Sequence, residues 1–224
     1  MSEFIAPPCL GQIEVLYQDE DILLINKPSG LLSLSGKNPL NIDSVHHRLV
    51  NMFPSATLLH RLDFGTSGIM LVALNKQANG ILTKQFQQGM IDKTYTAILF
   101  GDLDDNQGDI DLPIAKDIDN FPYMKICHQT GKAAHSQFTV IERRVAEHRF
   151  SSATTRVSFV PLTGRTHQLR LHSQQIGHPI LGCDLYTNSK SQQMASRLLL
   201  HATRLSFTHP ITNSRQHIDC PCPF

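Results

Sequence analysis

The sequence predicts an α+β protein built on a mainly antiparallel, mixed sheet flanked by short helices and loops. Three observations lead to this prediction. Short runs in which apolar and polar residues alternate recur along the 224 residues, and such runs are typical of half-buried strands. Two segments repeat apolar residues at helical spacing behind a capping residue. No regular succession of strand, helix and strand is present, which disfavours a parallel α/β fold.

The N-terminal elements are a hairpin and a helix. Residues 13–17 alternate between apolar and polar, three acidic residues form a turn, and residues 22–25 are an apolar run; together they predict two antiparallel strands. Asp43 or Ser44 can cap a helix over residues 45–53, whose apolar side chains share one face.

A strand, a helix and a second strand follow in the middle of the chain. Residues 69–74 form a continuous apolar run. Asn75 can cap a helix whose inward-facing side chains end at Phe86. Residues 93–100 are rich in residues that favour strands. The acidic stretch 102–119 has little apolar periodicity, and we expect a loop there.

The last third predicts two more strands, a short helix and a late strand. The two strands cover residues 134–142 and 154–160, with a turn around Glu147 and His148 between them. The helix opens at Thr163-Gly164-Arg165 and runs to about Ile176. The late strand covers residues 198–207.

Composition bounds the class of protein. With 41% hydrophobic and 17% charged residues the chain can bury a core, and no linker divides it, so we expect one domain over residues 1–224. The net charge is +1 overall, but residues 1–141 sum to −5 and residues 142–224 to +6. The basic final third predicts a local basic groove rather than a polybasic protein.

Motif spacing excludes several kinds of site and segment. The five cysteines include no CxxC pair, and the twelve histidines form no HExxH or zinc-type spacing, so no metal is expected. The start of the chain has no basic region followed by an apolar run, and no segment has 18 consecutive apolar residues. We therefore expect a cytoplasmic protein with reduced thiols that does not bind membranes.

Three constellations are candidates for chemistry, each with an ordinary structural alternative. His60-Arg61-Leu62-Asp63 offers a carboxylate for nucleophilic or acid–base chemistry, or simply a surface ion pair. The segment from Thr163 to His172 is a basic binding element or an amphipathic helix with a solvated basic face. Tyr95 is a stacking platform or a core residue.

Taken together and in order, these segments resemble the RluA family of pseudouridine synthases. The resemblance covers about residues 12–219 and includes more than the three constellations. The segments that match are Ile25-Asn26-Lys27-Pro28-Ser29-Gly30-Leu31, His60-Arg61-Leu62-Asp63 with Thr66-Ser67-Gly68, Lys93-Thr94-Tyr95, Thr163-Gly164-Arg165-Thr166-His167-Gln168-Leu169-Arg170, His178-Pro179-Ile180-Leu181-Gly182 and Leu198-Leu199-Leu200-His201-Ala202.

The resemblance implies a role for five residues. Asp63 matches the catalytic aspartate, a nucleophile or base that acts on the ribose or on the uracil. Arg165 matches a basic residue that pairs with this aspartate and keeps it ionised. Tyr95 matches the tyrosine that packs on the uracil, and Leu200 an apolar residue under the uracil pocket. Arg61 matches the residue that fills the space left by the flipped base.

The resemblance also implies the fold and the partners. It implies the pseudouridine synthase fold with a central RNA-binding cleft, in one catalytic domain without an S4-type domain. The lack of that domain, and Asp111-Leu112-Pro113-Ile114 before Thr130-Gly131-Lys132, resemble the branch of the family that acts on both 23S ribosomal RNA and a tRNA anticodon stem-loop. We therefore expect structured RNA as substrate, no DNA, no membrane, no cofactor and a monomer. Lys27 either touches phosphate or braces the site.

Three other functions are weighed against this expectation. The first is the same reaction on a different uridine of ribosomal RNA or tRNA. The second is a catalytically silent RNA-binding protein or folding chaperone, which has no need of a buried carboxylate beside a phosphate-rich ligand that the carboxylate would repel. The third is a metal-dependent hydrolase, which the absence of ligand spacing disfavours.

Overall fold

A computed structural model of the chain describes residues 4–146 and 152–224. The described residues form two compact units. The first unit runs up to Asp92 and is completed by Ala202–Pro223; the second consists of Lys93–His201 with Phe224. Within the described residues, no helix is long and apolar enough to cross a membrane.

The described residues form twelve strands and four α-helices. The strands are β1 (Glu14–Gln18), β2 (Ile22–Lys27), β3 (Thr57–Leu58), β4 (Ser67–Ala73), β5 (Asp92–Phe100), β6 (Gln107–Asp111), β7 (Ile114–Lys116), β8 (Met124–Ile126), β9 (His135–Arg144), β10 (Thr154–Pro161), β11 (Leu200–Thr208) and β12 (Arg215–Asp219). The helices are α1 (Val45–Val50), α2 (Lys76–Gln87), α3 (Gln168–Gln175) and α4 (Ser189–Gln193), with a 3₁₀ turn at Pro39–Asn41.

The first unit is a sheet with two helices. Its strands follow the order β1, β2, β4, β11, with β3 on β4 and β12 on β11. The pairs β1–β2, β2–β4, β3–β4 and β11–β12 are antiparallel. Ser44 caps α1 by accepting from the His47 amide, and Asn75 caps α2 by accepting from the Ala78 amide, so both predicted helix starts are confirmed.

The core of the first unit lies on both faces of β4, all of whose residues are buried. On one face Leu71 and Ala73 pack with Ala78 and Leu82 of α2 and with Phe207 of β11. A strand buried on both faces reads as a continuous apolar run rather than an alternating one. This explains why residues 69–74 show no period of two.

The second unit is a second antiparallel set of strands with α3 and α4. Its strands follow the order β5, β10, β9, β6, and β7 and β8 form a separate hairpin. The pairs β5–β10, β10–β9, β9–β6 and β7–β8 are antiparallel. Its core packs Val157 and Phe159 of β10 against Leu169 and Leu171 of α3 and Leu200 of β11.

Antiparallel pairs within each unit confirm the predicted α+β class and its mainly antiparallel sheet. The turn predicted around Glu147 and His148 lies outside the described residues. The prediction of a single domain over residues 1–224 stays a prediction.

The prediction of a loop over residues 102–119 is wrong. Two strands lie in this acidic stretch: β6 pairs with β9 and β7 pairs with β8. Only Ile110 and Ile114 are buried apolar residues of these strands. With one buried apolar residue each, the two strands show no alternation. The partner of β6 is β9, which is distant in sequence, whereas β7 pairs with the nearby β8 in a hairpin; both pairings are made by main-chain hydrogen bonds.

Candidate active site

The loop between β3 and β4 carries Arg61 and Asp63. Between them Leu62 is buried, while Arg61 is exposed and Asp63 half-buried. The hydroxyl of Ser33 holds both polar groups of the Leu62 main chain: it accepts from the amide at 3.1 Å and donates to the carbonyl at 2.7 Å. These two bonds fix the main chain of the residue that lies between Arg61 and Asp63.

His60 fixes the start of the same loop. Its Nε2 accepts a hydrogen bond from the amide of Leu71 on β4 at 3.0 Å. Its ring lies against the ring of Phe86 of α2, with 5.0 Å between the centroids. These contacts give His60 a supporting position in the first unit.

Lys27 lies beneath the loop and is completely buried. Its Nζ donates to the carbonyls of Pro28, Leu31 and Phe64 at 3.0, 2.7 and 3.3 Å. A buried ammonium is tolerated only when it is well paired, and here it joins the loop after β2 to the residue that follows Asp63. Of the two roles considered for Lys27, these contacts fit the brace, not the phosphate ligand.

Further bonds fasten the end of the loop. Ser29 Oγ donates to the Gly65 carbonyl at 2.7 Å, and the Gly30 amide donates to the Phe64 carbonyl at 2.9 Å. Gly68 then enters β4 with φ of +114°, and a Cβ there would lie 2.3 Å from the carbonyl oxygen of Ala202. Only glycine permits this approach of β4 to β11.

Tyr95 lies on β5 in the second unit, paired with Phe159 of β10. Its ring is half-buried and packs against the same apolar cluster that contains Leu200, which is 3% exposed at the start of β11. The structure therefore brings Tyr95 and Leu200 together at one cluster. Lys93, two residues before Tyr95, is on the same face of the strand.

Arg165 lies in the segment between β10 and α3, and its side chain is exposed. Its Nε donates to the Ala133 carbonyl at 2.9 Å. Its amide donates to Gln168 Oε1 at 3.0 Å, and the Thr163 hydroxyl donates to the same oxygen at 2.7 Å. One buried amide side chain thus shapes the turn that presents Arg165.

Gln168 is in turn held by β9. Its Nε2 donates to the His135 carbonyl and to Ser136 Oγ, both at 2.9 Å. Ser136 Oγ lies 3.0 Å from Nδ1 of His172, whose Nε2 lies 3.0 Å from the Leu112 carbonyl. Burial lowers the pKa of His172 below its usual range. Sequence reasoning missed Gln168 and His172 as supports of the site; polar residues beside Leu169 and Leu171 were the available signal.

The predicted helix from Thr163 to Ile176 needs correction at its start. Helix α3 begins at Gln168, because His167 takes a left-handed conformation with φ of 57°. The hydroxyl of Tyr186, 2.9 Å from Nδ1 of His167, holds this residue. Arg165 therefore lies before the helix rather than on its face.

The alternative of a solvated basic face on this helix is also wrong. Arg170 is only 4% exposed. Its guanidinium pairs with Asp184, approaches Cys183 Sγ at 3.5 Å and lies over the Tyr186 ring. These internal contacts make Arg170 a structural residue of the second unit.

The predicted site residues are divided between the units. Arg61 and Asp63 belong to the first, and Tyr95, Arg165 and Leu200 to the second. The pairing of Asp63 with Arg165 stays a prediction, as does the central cleft.

Among the described residues, one cluster has the composition of a metal site: Asp19, Asp21 and His209. Nδ1 of His209 accepts from the amides of Ile211 and Thr212, so Nε2 carries the proton and donates to Asp19 at 2.9 Å. Neither ring nitrogen of His209 is therefore available to bind a metal. The cluster ties the segment after β11 to the β1–β2 turn.

The chain is similar to known proteins over most of its length. Residues 21–175 match the family model described as RNA pseudouridylate synthase. A "Dual-specificity RNA pseudouridine synthase RluA" of Yersinia pestis is 46% identical, over 94% of this chain and 99% of that protein. The Escherichia coli K12 protein of the same name is 41% identical over 97% of each chain.

Among solved structures, "Human RNA Pseudouridylate Synthase Domain Containing 1" superposes with a TM-score of 0.80 at 28% identity, over 97% of this chain and 86% of that one. "Human RNA Pseudouridylate Synthase Domain Containing 4" superposes with a TM-score of 0.73 at 23% identity, over 94% of this chain and 88% of the other, which is a likeness of fold. The sequence resemblance, the fold and these matches agree: the chain belongs to the RNA pseudouridylate synthase family.

Proposed function

We propose that this chain isomerises selected uridines of 23S ribosomal RNA and of a tRNA anticodon stem-loop to pseudouridine, with Asp63 as the essential carboxylate. The observation that carries the proposal is the fastening of Leu62 by Ser33, which fixes the main chain next to Asp63 in a member of this family. The names of the relatives, which include the words dual-specificity, support two RNA substrates.

The reaction needs a carboxylate and a binding site for an extruded base. The N1–C1′ bond breaks, the uracil turns, and C5 bonds to C1′, while a proton leaves C5 and N1 gains one. Because the nucleotide keeps its composition, the isomerisation balances without an electron donor or acceptor. A base inside a structured RNA is inaccessible to such chemistry, so the nucleotide is first flipped out.

Each of the five residues has a part in this proposal. Asp63 attacks as a nucleophile or acts as a base, on the ribose or on the uracil. Arg165 pairs with Asp63 and keeps it ionised. Tyr95 packs on the uracil, with Leu200 beneath it, and base–aromatic stacking contributes about 1–3 kcal/mol. Arg61 occupies the space that the base leaves.

The decisive variant is Asp63→Asn, which keeps the shape of the side chain and removes its charge. We expect the rate of pseudouridine formation to fall by at least about 10³-fold, the middle of the range for acid–base groups. RNA affinity and thermal stability should stay close to those of the unmodified chain. The exposed Asp105→Asn is the matched control and should keep full activity. A fully active Asp63→Asn protein would sink the proposal.

The substrate assignment is tested in cells. Deleting the gene and mapping pseudouridines should show losses in both 23S ribosomal RNA and a tRNA anticodon stem-loop, and re-expression of the gene should restore both. A loss at one site alone would remove the dual specificity and leave the reaction in place.

The proposal extends to location and assembly. Because both RNA substrates are cytoplasmic in bacteria such as those of the relatives, we place the protein in the cytoplasm, acting as a monomer on RNA and not on DNA. Light scattering of the purified protein should give a mass near 25.1 kDa. A mass twice as large would contradict the monomer.

A further inference from the structure

Lys93 on β5 carries an ammonium group that no described residue pairs with. Its side chain is half-buried, and loss of contact with water lowers the pKa of its ammonium, with no opposing contribution. Within residues 4–146 and 152–224, its Nζ has no hydrogen-bond or ion-pair acceptor. Lys27, the other lysine removed from water, donates to three carbonyls. A desolvated charge that no protein group pairs is suited to an anionic ligand.

The surroundings of Lys93 leave room for such a ligand. A Cβ placed on Gly164 would lie 3.8 Å from Nζ, and apart from the residues adjoining Gly164 it would meet no other atom within 4 Å. The ammonium therefore borders open space next to an exposed glycine. Arg165, the next residue, is exposed as well. Gly164 therefore has no side chain that would fill this space, and a ligand can reach Nζ of Lys93 through it.

The position on the strand indicates which part of the RNA would use this path. Lys93 and Tyr95 are two residues apart on β5, so their side chains share a face. If a uracil packs on Tyr95, the two phosphodiesters that flank its nucleotide lie no farther from Nζ of Lys93 than the length of one nucleotide. Phosphate is the anion of RNA, and lysine is a common phosphate ligand.

We propose that Lys93 binds a phosphodiester of the uridine nucleotide whose base packs on Tyr95. The inference rests on the proposed function and adds a substrate-binding residue to it. A phosphate oxygen would pair with the Lys93 ammonium, for which the described residues offer no acceptor. Gly164 would keep the approach open, and the contact would hold the flipped nucleotide by its backbone irrespective of sequence.

The first test measures the salt dependence of RNA binding with Lys93→Met. In the unmodified protein, log K falls linearly with log salt concentration, with a slope proportional to the number of phosphates contacted. We expect Lys93→Met to bind a tRNA anticodon stem-loop about tenfold more weakly at low salt and to lower the slope by about 0.7–0.9. The exposed Lys190→Met, in the same unit, is the control for charge and should change neither. An unchanged slope would overturn the proposal.

The second test removes the charge from the RNA instead. A methylphosphonate replaces the phosphate on the 5′ or the 3′ side of a uridine that the unmodified enzyme converts. We expect one of the two replacements to weaken binding about tenfold for the unmodified protein and to have no further effect on Lys93→Met. Equal losses for both proteins with either replacement would show that Lys93 contacts another group, such as a uracil oxygen, and would overturn the proposal.

Two further variants separate a lost contact from a damaged fold. Lys93→Arg keeps the charge and should keep most of the salt slope. Gly164→Ala keeps Lys93 but places a methyl group where the ligand approaches, so it should raise KM with little change in thermal stability. Pseudouridine formation by the unmodified protein is scored separately. Its absence would refute the proposed function, whereas normal formation with an unchanged Lys93→Met slope would refute the Lys93 contact alone.

Discussion

The two loops that present the candidate residues are held from beneath by different chemistry. In the first unit the loop of Asp63 rests on a buried charge, the Lys27 ammonium, which donates to three main-chain carbonyls. In the second unit the turn of Arg165 rests on a neutral amide, Gln168, which accepts two bonds and donates two. A charged group makes the stronger hydrogen bonds, and its removal therefore lowers the free energy of unfolding by more than the removal of a neutral group.

Removing the charged support should have the largest effect. Lys27→Met keeps the length of the side chain but leaves the carbonyls of Leu31 and Phe64 buried with a donor lost. We expect the free energy of unfolding to fall by about 3 kcal/mol, together with the loss of pseudouridine formation. Urea unfolding measures the first and RNA mapping the second. The exposed Lys190→Met should stay within about 0.5 kcal/mol; an equally stable Lys27→Met protein would refute the brace.

Removing the neutral support should have a smaller effect. Gln168→Leu leaves the Arg165 amide and the Thr163 hydroxyl without their acceptor, and we expect a loss of about 2 kcal/mol in the free energy of unfolding. Amide hydrogen exchange at Arg165 should accelerate because its hydrogen bond is gone. Gln168→Glu keeps the acceptor and should slow that exchange again. Gln175→Leu, exposed on the same helix, is the control; if it matched Gln168→Leu, the special role of Gln168 would be lost.

The smallest expected effect is a pH dependence of stability that comes from His172, next to the neutral support of the second unit. Burial lowers the pKa of His172, so the unfolded chain takes up a proton more readily than the folded one. The contribution of His172 to the free energy of unfolding is fully present above about pH 6.5, the usual pKa of histidine. It declines as the pH falls from there toward the lower pKa of His172 in the folded chain. His172→Gln should flatten the urea-unfolding profile between pH 7 and 5. The exposed His128→Gln should leave the profile as it is, and equal profiles for both variants would contradict the prediction.

Local signals were sufficient for much of the fold. Ser44 and Asn75 cap the helices that their sequence positions predict, because a cap depends on residues only three positions away. The continuous apolar run of β4 and the strand at β5 were also recognisable. The strand β6 was not, because a single buried Ile110 gives no period and its pairing with β9 is long-range.

The residues of the candidate site were easier to predict from the sequence than the buried residues that hold them in place. The ordered motifs single out Asp63, Tyr95 and Arg165, but nothing local shows that Arg170 would be buried. Its partners, Asp184 and the Tyr186 ring, lie beyond the end of α3 and meet it only in the folded chain. The same holds for Lys27, whose three acceptors are main-chain carbonyls and leave no trace in the sequence.

The late position of β11 in the chain has a consequence for biosynthesis. The first unit consists of the chain up to Asp92 and the segment Ala202–Pro223, so the second unit is an insertion within it. During translation the strand β4, in which Gly68 allows the close approach of Ala202, cannot pair with β11 until Leu200–Thr208 has left the ribosome. The insertion can fold first, as complete units do. The unit that carries Asp63 is therefore completed only after the inserted residues 93–201 have been synthesised.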